Sequence, residues 1–145
     1  MLARARRRRA AATVEFALVA PLLFLLVAGA VEIGRLVMVS QIATTGSREA
    51  ARYAVQASAT PDDVQAYAEQ YLASAGVPAE ALRELAIEQW QGGEWGGVDS
   101  LAAVPPGTPV RVRVGVSFAR VTWLPTRLFV ADGVTVRGVT VMRKE

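Results

Sequence analysis

The sequence contains neither cysteine nor histidine among its 145 residues. Without cysteine there is no disulfide and no thiolate nucleophile, and without histidine the usual general base and the commonest zinc ligand are missing. A glycine-rich phosphate loop is also absent from the sequence. Its scattered carboxylates fit a solvated surface better than an acid–base pair: Asp62, Asp63, Glu80, Glu84 and Glu88. We therefore expect no enzyme activity, no metal or other cofactor, and no small-molecule substrate.

Positive charge is concentrated at the N-terminus. Residues 1–9 contain five arginines and no acid, whereas residues 40–145 contain ten bases and eleven acids. Because basic residues beside an apolar segment stay in the cytoplasm, the cluster predicts a cytoplasmic N-terminus and an exported C-terminal region. A nucleic-acid-binding protein would need a basic patch outside this N-terminal cluster. Arg111 and Arg113 alone are too few to form such a patch. The topology signal consists of Arg4, Arg6, Arg7, Arg8 and Arg9.

An apolar segment follows the arginines. Residues 16–31 include ten Leu, Val or Phe residues and no charge, and as a helix they span about 24 Å. Apolar flanks on both sides lengthen the segment enough to cross a bilayer. The ten residues contribute about −3 to −6 kcal/mol to insertion, which outweighs Glu15 and Pro21. We expect one transmembrane helix at residues 11–39 and a single-pass chain.

A secretory signal peptide is the alternative interpretation of this segment. It also begins with basic residues and a short apolar core, and Ala28, Gly29 and Ala30 supply small residues for a cleavage site. The apolar core here is long, and Glu15 separates it from the arginines. These features favour a membrane helix that is retained.

Four residues inside the helix carry specific expectations. A charge such as Glu15 in an apolar segment rarely occurs without a partner or a function. Pro21 removes a backbone donor and predicts a kink or local melting near residues 17–21. Glu32 and Arg35 are one turn apart and can pair near the outer interface, or they can form a solvated helix end.

Four motifs carry a resemblance to a known family. They are Ala12–Phe16 (ATVEF), Ala20–Leu23 (APLL), Gly29–Arg35 (GAVEIGR) and Ser47–Ala54 (SREAARYA). Together they resemble the N-terminal half of TadE-like proteins, the pseudopilins or minor pilins of the tight-adherence (Flp) type IV pilus machinery. The close resemblance extends over residues 6–56.

The resemblance implies a processing site. In that family a prepilin peptidase cuts on the cytoplasmic side of the apolar helix, typically after Gly, and leaves Glu at the fifth mature position. Counting back from Glu15 places the cut between Ala10 and Ala11, which makes residues 1–10 a cytoplasmic leader. Ala10 stands where the family typically has Gly.

The resemblance also implies function and partners. It predicts a non-catalytic structural subunit of the cytoplasmic membrane that assembles with other pilin or pseudopilin subunits and inner-membrane pilus assembly proteins. The chain either enters the filament or acts at its base. An uncleaved, single-pass scaffold or binding module of a secretion complex is the alternative function.

Cleavage supplies a physical reason for Glu15. A cut before Ala11 creates a new α-amino group at the start of an apolar helix, where its charge needs a partner. Glu15 of an adjacent subunit, beside Phe16, can provide this counter-charge and set the register between the two helices.

The sequence of the exported region, residues 40–145, predicts an α+β domain that begins with helices. The first helix continues, with a narrow stripe of mostly small residues that faces either the protein's own sheet or a partner subunit: Ile42, Gly46, Ala50, Tyr53 and Ala57. A second helix begins after Thr60 as N-cap with Pro61 in its first turn, and ends at Gly76 and Pro78.

The outer half of the first helix and one or two further helices are expected to pack on an antiparallel sheet of about three strands. A helical stretch at 79–85 precedes a strand at 86–90, and residues 91–97 read as a glycine-rich loop whose Trp95 packs on the core or contacts another subunit. Alternating valines predict a strand at 110–118. A connection with Leu128 and Phe129 and a turn at Asp132 lead to a last strand with a bulge at Gly138.

Overall fold

A computed structural model describes residues 2–122, 130 and 133–145, with side chains described from residue 12 onward. The predicted connection with Leu128 and Phe129 and the turn at Asp132 lie outside the described residues. The chain forms two compact units, residues 1–34 and 35–145. Each unit is described by itself.

The first unit is helical from Leu2 onward. Its residues belong to helix α1, which runs from Leu2 to Ala54 and contains Pro21 without interruption. Local melting at Pro21 is therefore not observed, and a kink there stays a prediction. Almost every side chain from residue 12 to residue 31 is exposed. The helix thus presents an apolar surface that its own unit does not cover.

The second unit combines the outer part of α1 with α2 (Pro61–Ser74) and one sheet. The strands are β1 (Leu82–Gln91), β2 (Glu94–Gly97), β3 (Pro109–Ser117) and β4 (Thr135–Arg143). Their order is β2-β1-β3-β4, and all neighbours are antiparallel. The predicted α+β class is confirmed, with one further α-helix and four strands in the described residues.

Helix α2 begins as its sequence predicts. Thr60 Oγ1 accepts a hydrogen bond from the Asp63 amide at 3.2 Å, and Asp63 Oδ2 accepts one from the Thr60 amide at 3.3 Å. This capping box satisfies two backbone donors that the first turn leaves without helical partners. Gly76 follows the helix with φ +80°, a left-handed conformation that glycine adopts without a steric penalty.

The hairpin of β1 and β2 corrects the prediction of a loop at residues 91–97. Gly92 and Gly93 both have positive φ, at 56° and 110°, which lets them form the tight turn of a two-residue hairpin. Trp90 then pairs with Trp95 across the two strands. The glycines that indicated a loop form this turn and the end of a short edge strand, so the sheet has four strands instead of three.

Strand β1 begins earlier than the sequence predicts. The predicted helical stretch at 79–85 shrinks to a 3-10 turn at Ala79–Ala81, and the strand begins at Leu82 instead of Ala86. Leu82 pairs with Val116 and Leu85 with Val114. Pairing with β3 therefore extends β1 toward the N-terminus, as far as Leu82. Tertiary pairing overrides local helix preference here.

Strand β3 confirms the predicted alternation. Its four valines are fully buried at 0% exposure, and they belong to the same apolar core as the buried residues of α1 and α2. Arg111 and Arg113 lie on the other side of the strand. The residues of the core from β3 are Val110, Val112, Val114 and Val116. We call the opposite side of the sheet, away from α1 and α2, the outer sheet face.

Gly138 marks a close crossing, and the predicted bulge there is wrong. The register of β3 and β4 is regular from Pro109 opposite Arg143 to Ser117 opposite Thr135. A Cβ atom on Gly138 would lie 2.1 Å from the carbonyl oxygen of Ala43 in α1. Glycine is therefore required because the helix backbone contacts the strand.

The change of phase along β4 has the same origin. Thr140, two residues after Gly138, faces α1 and shares a hydrogen bond of 2.8 Å with the buried Ser47 hydroxyl. Val139 and Val141 point the other way and are 51% and 49% exposed. The valines that suggested a bulge are apolar residues on the outer sheet face.

The predicted stripe on α1 packs within the chain at Gly46 and Tyr53, which both contact α2. A Cβ on Gly46 would lie 3.3 Å from the Tyr71 ring, and the Tyr53 ring stacks on Tyr67 at 5.3 Å between centroids. Ala57 lies beyond the end of α1 and is exposed. Helix α1 thus uses one side for α2 and another for β4.

The last residues of the chain close the second unit. Lys144 is buried at 6% exposure, and its Nζ donates to the carbonyls of Val55, at 3.2 Å, and Gln56. The Glu145 amide also donates to the Val55 carbonyl at 3.3 Å. A cation at a helix C-terminus is favourable because the last carbonyls carry partial negative charge. Lys144 therefore ties the end of β4 to the end of α1.

Candidate membrane and assembly surfaces

The exposed apolar surface of α1 is the first candidate site. Over Ala12–Ala54 its most apolar window has a mean hydropathy of 2.4, and only 6% of that window is buried. In the described part of the chain, this is the one helix long and apolar enough to cross a membrane. Exposure of so many apolar side chains to water is unfavourable in free energy. Lipid or the helices of other proteins must therefore cover such a surface. A signal sequence shares these properties.

The exposed side chains show how completely this surface is open. Their exposed fractions run from 50% at Val27 to 74% at Leu18. They surround the helix instead of forming one stripe, which is typical of a helix in lipid or inside a helical bundle. The large apolar side chains before residue 28 are Val14, Phe16, Leu18, Val19, Leu22, Leu23, Phe24, Leu25, Leu26 and Val27.

Glu15 lies within this exposed surface. Its side chain is exposed, and Phe16 beside it is 70% exposed. Ala11 precedes Glu15 by four residues, so the two positions share one helix face. The backbone is helical at Ala10 and Ala11.

For the other predicted residues in this region, the structure describes the backbone alone. The side chains of the predicted cleavage residues, Ala10 and Ala11, and of the five arginines are not among the described ones. Cleavage, register and topology at these positions stay predictions.

Glu32 and Arg35 have different surroundings. The Glu32 side chain is buried at 1% exposure, among the largest fully buried side chains that are described. Arg35 is half-buried, and its Nε donates to the Val121 carbonyl within the second unit. The spacing of Glu32 and Arg35 in the sequence did not indicate this burial. The pairing of the two residues stays a prediction.

The outer sheet face carries a network of ion pairs that sequence reasoning missed. Glu88 accepts from Arg111 at 2.6 Å and from Arg113 at 3.0 Å. Glu84 accepts from Arg113 at 3.3 Å and from Arg137 at 3.0 Å. Alternation with the buried valines of β3 places Arg111 and Arg113 outward, but their partners follow only from the register that sets Glu88 opposite Arg111.

Two tryptophans extend this face. The rings of Trp90 and Trp95 meet edge to face at 5.2 Å between centroids, and the Arg111 guanidinium lies 4.3 Å from the Trp95 ring centre. A guanidinium over an indole is a favourable cation–π contact. Trp95 is half-buried and packs on its own sheet, while Trp90 is 42% exposed.

The described residues contain no cluster of three potential metal-ligating side chains. The outer carboxylates are held by arginines instead. Glu84 and Glu88 each contact two guanidinium groups. This arrangement suits a structural surface, because both carboxylates already have cationic partners.

The two units define a class of protein: one exposed apolar helix that can cross a membrane, together with an α+β unit whose sheet has one face outside the core. Residues 10–52 match the family model of TadE-like protein. The resemblance to the TadE-like, pilin-type family is therefore confirmed over that segment, which includes Glu15, Pro21, Glu32 and Arg35. Neither the curated proteins nor the solved structures contain a significant match to this chain.

The family match has a coarse functional meaning. TadE-like proteins are structural, pilin-type components, and the match suggests a role in the Tad/Flp pilus system. The exposed apolar helix agrees with membrane anchoring.

Proposed function

We propose that this chain is a non-catalytic structural subunit, a TadE-like pseudopilin or minor pilin, for assembly of a Flp-type type IV pilus or a related secretion apparatus. The exposed apolar helix around Glu15, which lies inside the family match, is the observation that supports this role most strongly. A surface of this kind serves first in the membrane and then between subunits.

The proposed topology has three parts. Residues 1–10 are a basic cytoplasmic leader, residues 11–39 cross the cytoplasmic membrane once, and residues 40–145 are exported. The arginines of the leader hold the N-terminus inside. The partners are a prepilin peptidase, other pilin or pseudopilin subunits, and inner-membrane assembly proteins.

Glu15 has the central part in assembly. An unpaired carboxylate within the apolar segment costs about 2.5–3.5 kcal/mol on insertion scales when it lies deep. The α-amino group that cleavage creates at Ala11 of a neighbouring subunit removes this cost by pairing with it. Because the two charges attract only when the helices are aligned, the pair also selects one axial register. Glu15 therefore favours assembled subunits over isolated ones.

The variant Glu15→Gln tests this role. It keeps the shape and the hydrogen-bonding capacity of the side chain but removes its charge, so we expect normal membrane insertion and reduced association with pilus partners. Membrane fractionation measures the first property, and co-purification with pilus subunits measures the second. Glu80→Gln, which removes an exposed carboxylate from the second unit, is the control. Normal pilus formation by Glu15→Gln would contradict the proposed role.

One observation favours the alternative function. Ala10 occupies the position before the cut where the family typically has Gly. A chain that the peptidase leaves intact keeps its basic leader and stays in the membrane as a scaffold or binding module of a secretion complex. The N-terminal residue of the chain in the membrane distinguishes the two functions.

A further inference from the structure

In the second unit, acidic side chains are concentrated on helix α2 and basic side chains on the outer sheet face. Residues 53–82 contain four acids and no base: Asp62, Asp63, Glu69 and Glu80. Three of these acids lie in α2, and all three are exposed. Asp62 and Glu69 are seven residues apart, so they project from the same side of the helix. We call this exposed side of α2 the acidic helix face; it also includes Ala66 and Ala73, both exposed.

The outer sheet face has the opposite charge. Four arginines and two glutamates lie there, and Glu84 and Glu88 pair with three of the arginines, so the face has an excess of two positive charges. Alternation along β3 and β4 places the arginines on one side of the sheet. They are Arg111, Arg113, Arg137 and Arg143. Val139 and Val141 lie among them, each about half exposed.

The two faces lie on opposite sides of the second unit. Helix α2 buries Val64, Ala68 and Leu72 in the core that the β3 valines line from the other side. Its acids consequently point away from the sheet, and the arginines of the sheet point away from the helices. A surface of each sign is thus available for contact at the same time.

We propose that the acidic helix face of one copy docks on the outer sheet face of a second copy. Opposite charge gives the attraction, while the two alanines allow the helix to approach the exposed valines closely. Because the contact joins different surfaces, it leaves one of each kind free on every pair. Such a heterologous contact repeats into a ring or a helical filament instead of closing as a two-fold dimer.

This inference deepens the proposed assembly role by naming a second copy of the chain as a partner. It can fail independently of that role. Contact between the exported units depends on the charges of α2 and of the sheet, whereas processing and register depend on Ala11 and Glu15. The attraction between exposed charges also weakens as ionic strength rises, since the screening length falls to about 8 Å at physiological salt.

Cross-linking of the full chain in membranes tests the proposed contact. The chain has no cysteine, so single introduced thiols report on one position each. One copy carries Val139→Cys on the outer sheet face, and the other carries Ala66→Cys on the acidic helix face. With a short bis-maleimide we expect a mixed product between the two copies at least several-fold above the product of either copy alone.

Charge reversal identifies the surfaces. Arg137→Glu with Arg143→Glu in the copy that carries the sheet thiol should reduce the mixed product at least fivefold. Asp62→Lys with Glu69→Lys in the copy that carries the helix thiol should do the same. Combining the two reversed copies should restore the product, because the signs are again opposite, and restoration also shows that both variants fold.

A matched control changes the same amount of charge elsewhere. Arg48→Glu with Arg120→Glu alters two exposed arginines outside both faces, and the mixed product should persist. Three results would overturn the proposal: equal products in all combinations, products between identical positions only, or loss without restoration in the doubly reversed pair. Products that are lost with Glu15→Gln but not with charge reversal would place the contact in α1 and also overturn it.

Discussion

Substitution of Gly138 by alanine should separate helix α1 from strand β4. The added Cβ would lie 2.1 Å from the Ala43 oxygen, 2.4 Å from the Ala43 carbonyl carbon and 2.7 Å from the Thr44 Cα. All three atoms belong to the helix backbone, so no side-chain rotation relieves the clash. The helix has to move by about 1 Å to reach ordinary contact distance.

The expected cost has two contributions. Overpacking of a close contact costs about 1–3 kcal/mol. Displacement of α1 also weakens the partly buried hydrogen bond between Ser47 and Thr140, which contributes about 0.5–1.5 kcal/mol. We therefore expect the free energy of unfolding to fall by about 2–4 kcal/mol. For a unit of this size the midpoint of thermal unfolding should fall by about 10 °C or more.

Thermal unfolding of the full chain in detergent, followed by tryptophan fluorescence, measures this change. Gly97→Ala is the matched control, because the same substitution in β2 of the same sheet places its Cβ with nothing within 4 Å. We expect it to remain within about 1 kcal/mol of the native chain. Equal stability of the Gly138→Ala and Gly97→Ala variants would refute the close crossing of α1 over β4.

Two further substitutions test how the ends of the helices are held. Lys144→Met removes the ammonium group that binds the carbonyls of Val55 and Gln56, so stability should fall by about 1.5–3 kcal/mol and amide hydrogen exchange should accelerate at the end of α1; unchanged exchange there would contradict the role of Lys144. Thr60→Ala removes the capping box of α2 and should cost about 1 kcal/mol in the same unfolding assay, whereas Thr60→Ser should cost little.

Local patterns were sufficient to predict several elements. The alternating valines of β3 indicate a strand with one buried side, and Thr60 followed by Pro61 indicates a helix start, because each signal depends only on neighbouring residues. The apolar helix was also predictable from its length and its arginine flank. The position of Glu15 in an exposed apolar surface agrees with the prediction of a membrane helix.

Contacts between distant residues could not be predicted in the same way. The sequence around Gly138 suggested a bulge, because nothing in β4 reveals that the backbone of α1 crosses there. Helix periodicity found Gly46 and Tyr53 on one face of α1 but could not reveal that α2 is their neighbour. The partners of Arg111 on the outer sheet face depend on the register with β1, which lies more than twenty residues earlier in the chain.

The hairpin shows a further limit. Gly92 and Gly93 are equally compatible with a loop and with a tight turn, and only the pairing of Trp90 with Trp95 decides between them. The burial of Glu32 was equally hidden, since its spacing from Arg35 fits both an ion pair and a solvated helix end. Sequence therefore identified the candidate assembly helix but missed the surfaces that tertiary structure creates.

The mass of the chain isolated from membranes tests its proposed role as a processed pilus subunit most directly. In cells with an active prepilin peptidase we predict a chain that begins at Ala11, and in cells without the peptidase a chain that retains residues 1–10. An intact chain beginning at Met1 in the presence of the peptidase would contradict the account and favour the uncleaved scaffold. A start near residue 31 would instead identify the apolar segment as a signal peptide.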